Sequence, residues 1–171
     1  MQNEPPLKCR VKPPGPNGFC NPFSTRVSRL FNLELASLLD ARDELTRLHS
    51  DAVGDLLGAM LETLGASQDE VEKGILGGRL HDIGKLALRV DLLEKRGVLS
   101  AAERTGLQLH PPIGARIVRA VTDDDDLVGI ALHHHERFDG LGYPAGLKRQ
   151  GIPLLARMAA VADTFHALTE D

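Results

Sequence analysis

A carboxylate embedded in an apolar run limits how this chain can fold. In Leu80-His81-Asp82-Ile83-Gly84-Lys85, Asp82 follows His81 and lies between Leu80 and Ile83. A buried charge needs a partner, and a neutral imidazole beside an ionised carboxylate suits a borderline to hard divalent cation. The pair alone is a candidate metal clip, and its meaning depends on what the rest of the chain can bring to it.

The rest of the chain reads as helices. Aromatic residues make up 4% of the chain, with no Trp, fewer than a β-sandwich or barrel usually carries, whereas Leu, Ala, Glu and Arg are abundant. At 171 residues the chain suits one domain with a sizeable core. Residues 1–23 hold Pro5, Pro6, Pro13, Pro14, Pro16 and Pro22 among polar residues and read as a disordered arm, leaving 24–171 as the helical domain. Val27, Leu30, Phe31, Leu33, Leu35, Leu38 and Leu39 predict a first helix of about four turns. A second is expected from Asp43 to Leu64, ending at Gly65, with Leu45, Leu48, Val53, Leu56, Leu57, Met60 and Leu61 apolar and His49 among them.

Local signals place the remaining elements. Ser67-Gln68-Asp69-Glu70 is a capping box that starts a helix running through Val71, Ile75 and Leu80 into His81-Asp82. Leu86 to Gly97 reads as a turn and a short helix. A second capping box, Ser100-Ala101-Ala102-Glu103, opens a short helix leading to His110. Pro111 and Pro112 suit the first turn of the next helix, whose apolar side carries Ile113, Ile117, Val118 and Val121. Asp123–Asp126 fits a loop and helix N-terminus, where negative charge is favourable. A helix from about Leu127 should carry Ile130, Leu132 and the run His133-His134-His135-Glu136. Asp139 to Gly151, with four glycines and Pro144, predicts a structured loop. The last helix is expected from Pro153 to about Thr169, with Leu154, Leu155, Met158, Val161, Ala162, Phe165 and Leu168 promising burial. With no competing strand pattern, the expected fold class is all-α.

Composition excludes several functions. A formal charge of −4 gives no general attraction to a nucleic-acid polymer or an anionic membrane, so any phosphate chemistry has to be local. Cys9 and Cys20 lie in the Pro-rich arm without zinc-site spacing and provide no disulfide framework. Neither a membrane-spanning apolar run nor a secretory signal core is evident, so the expectation is a cytoplasmic protein. There is no phosphate loop ending in Gly-Lys-Ser/Thr and no His-Glu-x-x-His.

Metal-ligand residue types recur on segments that should be apolar: His49, His81 with Asp82, His110, the triplet His133–His135, and Asp163 within Ala159-Ala160-Val161-Ala162-Asp163. Adjacent helical residues diverge by about 100°, so two of the three consecutive histidines can line one cavity, and spacing does not choose which two. Nitrogen and oxygen ligands without thiolate fit Fe, Mn, Co, Ni or Zn. Such a centre can activate water near neutral pH and clamp phosphoryl oxygens, which makes phosphoryl hydrolysis the natural reaction class.

Three blocks taken together, His81-Asp82-Ile83-Gly84-Lys85, His134-His135-Glu136-Arg137-Phe138-Asp139-Gly140-Leu141-Gly142-Tyr143-Pro144 and Val161-Ala162-Asp163, resemble the HD-GYP branch of the HD phosphohydrolases, which hydrolyses cyclic di-GMP. The resemblance runs from about Asp43 to the C-terminus. It implies an HD-type helical bundle with a structured Gly-Tyr-Pro loop, and a ligand set of His49, His81, Asp82, His110, His134, His135 and Asp163. In it Asp82 bridges two divalent metals, with Fe or Mn favoured and Zn, Co or Ni as alternatives. Glu136 fixes the matching histidine pair and leaves His133 outside. Lys85 would contact a substrate phosphate beside the catalytic Asp82, while Gly142, Tyr143 and Pro144, with Leu147 and Lys148, would shape the substrate rim and any protein-partner surface.

The chain departs from the family in three places. Leu45 stands where some members carry a Glu that helps hold a third metal, which favours a binuclear site and cleavage to linear pGpG. His166 replaces the usual Asp three residues after Asp163 and reads as a surface change rather than an extra ligand. The family's further Arg-Pro-Tyr-Arg-like segment does not follow Asp171, so the expectation is either a fragment or a short domain, whose last helix could expose Leu and Phe and associate with another chain. The implied activity is a cyclic di-GMP phosphodiesterase, with GMP as a further product open. The alternative is a catalytically weak or inactive signalling module that binds metal or nucleotide and acts through protein contacts at the Gly-Tyr-Pro loop.

Overall fold

The computed structural model describes residues 44–169. The expected N-terminal arm and the helix over Val27–Leu39 lie outside the described residues. Those described are helical, with elements α1 (Glu44–Thr63), α2 (Gln68–Leu80), a 3-10 turn (Ile83–Ala87), α3 (Val90–Leu93), α4 (Ala101–Leu107), α5 (His110–Val121), α6 (Asp125–His133), a second 3-10 turn (Arg149–Gly151) and α7 (Leu154–Thr169). Among them no helix is long and apolar enough to cross a membrane.

The local signals translate directly into helix ends. Gly65 adopts φ 75° just after α1. Both capping boxes form: Ser67 and Ser100 accept from the backbone N–H of Glu70 and Glu103, whose carboxylates accept from the Ser backbone in return. Asp124 caps α6 through the N–H groups of Asp126 and Leu127, so that helix starts two residues earlier than Leu127.

The antiparallel pair α1 and α2 is the central packing unit. Their backbones meet at Gly54 and Gly78, where a Cβ on Gly78 would fall 2.6 Å from the Gly54 Cα. This close approach lays His49 of α1 beside the C-terminal end of α2, where His81 is the capping residue. Leu57, Leu61, Val71, Ile130, Met158 and Ala159 form one buried cluster, tying α6 and α7 to the pair. Leu80, Ile83, Val118, Leu127 and Ala131 form another beneath the 3-10 turn. Lys73 of α2 bridges to Asp124 at 3.0 Å and Asp126 at 3.1 Å, fixing the start of α6.

Two expectations are corrected. The α6 helix stops at His133 with His134 as its cap, so His135 and Glu136 belong to the following turn and not to a helix. On α7, Ala156, Met158, Ala159 and Ala162 are buried, but Leu154, Val161, Phe165 and Leu168 are exposed, the last by 80%. Small residues form the packed face of this helix, so its bulky ones fall on the other side. Leu48 of α1 is likewise exposed.

Candidate metal centre

Five of the seven expected ligands come from segment ends or the loops next to them, which lets side chains from distant parts of the chain converge. The α2 C-terminus presents His81 and Asp82, the start of α5 presents His110, and the end of α6 presents His134 and His135. From the body of α1 and from α7 come His49 and Asp163. Their ligand atoms group into two sets, each within 4.8 Å: Asp82 with His110, His134 and His135, and His49 with His81 and Asp163.

Asp82 joins the two. Its Oδ1 is 3.2 Å from His110 Nε2 and 3.8 Å from His134 Nε2, while its Oδ2 is 3.2 Å from His81 Nε2 and 2.5 Å from Lys85 Nζ. The 3-10 turn is pressed against α5 beside it. A Cβ on Gly84 would overlap the His110 carbonyl oxygen and fall 2.6 Å from Gly114 N. Only glycine permits this approach, which fixes Asp82, Lys85 and His110 relative to one another.

The backbone sets the tautomers. His81 Nδ1 is 2.6 Å from the Gly78 carbonyl, His110 Nδ1 is 2.6 Å from that of Leu107, and His134 Nδ1 is 3.1 Å from those of Ile130 and Ala131. A carbonyl only accepts, so each Nδ1 donates its hydrogen and each Nε2 faces the centre as a lone pair. The Nε2 atoms of His110 and His134 are 3.3 Å apart, an arrangement that repels unless a cation stands between them. His81 Nε2 and Asp82 Oδ1 are buried without a well-angled hydrogen bond. Neutral imidazole lone pairs converging on an unsatisfied carboxylate fit a divalent metal.

Electrostatics agree with that reading. Burial opposes charge on Asp82, yet His81 and Lys85 outweigh it and hold the carboxyl well below the usual range. Burial likewise opposes charge on Asp163, but the adjoining His49 imidazole and the field of His81 bring it to about 2. Burial, with His81 and His135 nearby, pushes His134 well down, and burial with His110 lowers His135 to about 4. At neutral pH all four are in the state that ligates metal. His81 differs, because the neighbouring Asp82 overcomes its burial and raises it.

The loop after α6 is tied to this centre from behind. Glu136 turns a fully buried carboxylate onto the backbone N–H of Ala145 at 2.7 Å and of Leu147 at 3.0 Å. Tyr143 N–H donates to the His135 carbonyl at 3.2 Å, and its ring stacks on the His135 imidazole at 4.8 Å and 28°. Gly142 lies against Glu136, where a Cβ would fall 2.5 Å from the Glu136 Cα. The Tyr143-Pro144 peptide is cis, and Pro144 is exposed.

Lys148 is placed elsewhere. Its side chain crosses Gly140 and lines an open cleft of about 680 Å³ with Arg137, Phe138, Asp139 and Arg149, a lining that contains none of the ligand residues. His133 is also outside the ligand set, with Nδ1 3.7 Å from Glu136 Oε1. The two-metal count drawn from Leu45 lies outside the described side chains.

Two residues had roles that the sequence reading missed. Glu136 anchors the loop, a task its position beside two ligand histidines does not announce. His166, expected at the surface, is half-buried, with its Nδ1 3.1 Å from His49 Nδ1. Its position one helical turn after Asp163 was the available signal, because residues three apart share a helix face.

A family model described as HD domain matches residues 32–171. The chain is 43% identical over 134 residues to cyclic di-GMP phosphodiesterase PA4108 of Pseudomonas aeruginosa, covering 78% of this chain and 32% of that protein. It is 40% identical over 136 residues to the cyclic di-GMP phosphodiesterase response regulator RpfG of Xanthomonas campestris pv. campestris, covering 78% and 36%. It is 35% identical over 136 residues to 3'3'-cGAMP-specific phosphodiesterase 1 of Vibrio cholerae serotype O1, covering 80% and 32%. The chain thus spans about a third of the length of these curated relatives. Among solved structures it is similar to Bd1817, a HDG"Y"P protein from Bdellovibrio bacteriovorus, with a TM-score of 0.64 and 21% identity over 86% of this chain and 54% of that one.

Proposed function

The chain belongs to the HD domain family, in its HD-GYP branch, and from that membership we propose that it is a metal-dependent phosphodiesterase hydrolysing cyclic di-GMP to linear pGpG. The observation that carries this reading is the buried Asp82, whose two oxygens face two ligand clusters. A binuclear centre of Fe or Mn held by His49, His81, Asp82, His110, His134, His135 and Asp163 would supply an activated water and a clamp for phosphoryl oxygens.

The residues themselves do the positioning. Asp82 stays ionised and keeps both clusters at a fixed separation. The half-exposed Lys85 ammonium, held at the Asp82 edge, meets a non-bridging phosphate oxygen of the incoming dinucleotide and offsets its charge. The Tyr143 ring covers one face of His135 and restricts its swing. Burial, with Asp82 and Asp163 nearby, raises the Tyr143 pKa, so its phenol keeps its proton at the rim of the site.

The test is hydrolysis of cyclic di-GMP, followed by chromatography after separate loading with Fe(II) and Mn(II) under reducing conditions, with 3'3'-cGAMP as a parallel substrate. Linear pGpG is expected. Absence of product under every loading would refute the enzyme reading, and faster turnover of 3'3'-cGAMP would reassign the substrate. The alternative role, a signalling module working through protein contacts, is favoured by the exposure of Phe138 and Leu141 on the Gly-Tyr-Pro loop. Exposed Val161, Phe165 and Leu168 on α7 are the surface through which a homo-oligomer would form.

A further inference from the structure

His81, His110 and His134 are each oriented by a backbone carbonyl, but His49 is held by another side chain. Its Nδ1 lies 3.1 Å from His166 Nδ1, the two rings meeting edge to face with centroids 5.0 Å apart. On the opposite side, His49 Nε2 is 3.1 Å from Asp163 Oδ1, and the ring is 5.4 Å from that of His81. His166 is not among the ligand atoms that converge on either cluster.

Two ring nitrogens at 3.1 Å form a hydrogen bond only if one carries a hydrogen and the other a lone pair. If His166 donated, the His49 hydrogen would lie on Nε2 and be used by Asp163, leaving no lone pair for a metal. If His49 donates, its Nε2 is free to ligate.

We propose that His166 is a positioning residue for the His49, His81 and Asp163 half of the centre. Its Nδ1 lone pair accepts the His49 Nδ1–H and so directs the His49 Nε2 lone pair inward. The inference rests on the metal-centre reading above. Losing the acceptor behind a metal-bound histidine typically weakens metal affinity about 10- to 100-fold.

Substitutions at His166 separate this role from packing. The imidazole Nδ1 is bonded to Cγ, as are Asn Oδ1 and a Leu methyl carbon. His166→Asn therefore keeps an acceptor at nearly the same place, and His166→Leu fills that place without one. The full chain, stripped of metal, is titrated with Zn(II), and the His49 tautomer is read from side-chain nitrogen resonances of the zinc-loaded protein.

The wild type is expected to bind two equivalents with His49 hydrogen on Nδ1. In His166→Leu one binding step should weaken about 10- to 100-fold while the other is kept, and His166→Asn should restore it. His166→Ala, which adds no bulk, should reproduce the Leu result if that variant does not fold. Equal affinity at both steps in the Leu and Ala variants, or an Asn variant as weak as Leu, would overturn the proposal, as would a wild type that binds no zinc. A wild type that takes up metal with this His166 dependence but hydrolyses no dinucleotide would sink the phosphodiesterase reading and leave this one standing.

Discussion

Replacing Glu136 with Gln should loosen the Gly-Tyr-Pro loop without unfolding the helices. The carboxylate accepts two loop amides, from Ala145 at 2.7 Å and Leu147 at 3.0 Å, and its side chain has no exposed surface. Gln has nearly the same volume but one oxygen, so one amide would lose its acceptor and face an NH2 group, while the other would keep a neutral bond in place of a charge-assisted one. Hydrogen bonds to charged groups contribute about 1.5–3 kcal/mol each, so the loop should lose about 2–3 kcal/mol. Because Pro144 and Ala145 are exposed, the loop can open into water by itself, so the loss should appear locally and not as global unfolding.

Native-state hydrogen exchange of individual amides measures this directly. Protection at Ala145 and Leu147 should fall roughly 30- to 150-fold, since about 1.4 kcal/mol corresponds to a factor of ten, with little change at the buried positions of α1 and α2. The Tyr143 ring should lose its hold on His135 as the loop opens. Unchanged exchange at both loop amides would show that Glu136 does not anchor the loop, and an equal loss of protection throughout α1 and α2 would show that it acts on global stability.

Other expected outcomes follow from the same geometry. Asp82→Asn should reduce metal content, measured by emission spectrometry, to less than one ion per chain while keeping the helical circular dichroism; retention of both ions would disprove the bridging role. Gly84→Ala should cost about 3 kcal/mol or more, because the new methyl meets the His110 and Gly114 backbone and not a side chain that can turn away; an unaltered denaturant midpoint would refute the close contact. The pH dependence of the metal-free protein should also carry the mark of His135. Its folded pKa of about 4 lies below the ordinary imidazole value of 6.5, so its contribution to stability is complete above 6.5 and is lost as pH falls towards 4, where the unfolded chain takes up the proton first. His81, raised by Asp82, acts in the opposite sense, so the quantity to read is the difference between wild type and His135→Gln. The variant should lose less stability than wild type over that interval, and parallel curves would contradict the shift.

What the sequence made legible was local. The capping boxes at Ser67 and Ser100 and the stop at Gly65 depend on hydrogen bonds and backbone angles within a few residues, so the letters alone locate them. The all-helical class followed from periodicity and from the scarcity of aromatics. The His/Asp centre was legible as an anomaly, because His81, Asp82 and Asp163 stand among apolar residues that have no use for them. Contacts between distant residues were hidden. His49 and His166 are 117 residues apart, and nothing in either neighbourhood names the other. Glu136 looked like a member of a helical run, because helix propensity does not record that its carboxylate has loop amides to satisfy. The bulky residues of α7 were misjudged for a related reason: apolar character marks a side chain that can be buried, but Ala156, Ala159 and Ala162 took the close-packed face.

The contact between Gly84 and the His110 carbonyl bears on transplantation. Asp82, Lys85 and His110 owe their spacing to two backbones in contact, and His81 and His110 owe their ring orientation to carbonyls three residues upstream. Copying these ligands one by one onto a foreign helical scaffold would carry the chemistry without its mounting. The smallest portable unit is the pair of segments 78–85 and 107–114 moved as one rigid block, into which a recipient bundle would project its own equivalents of His49, His134, His135 and Asp163.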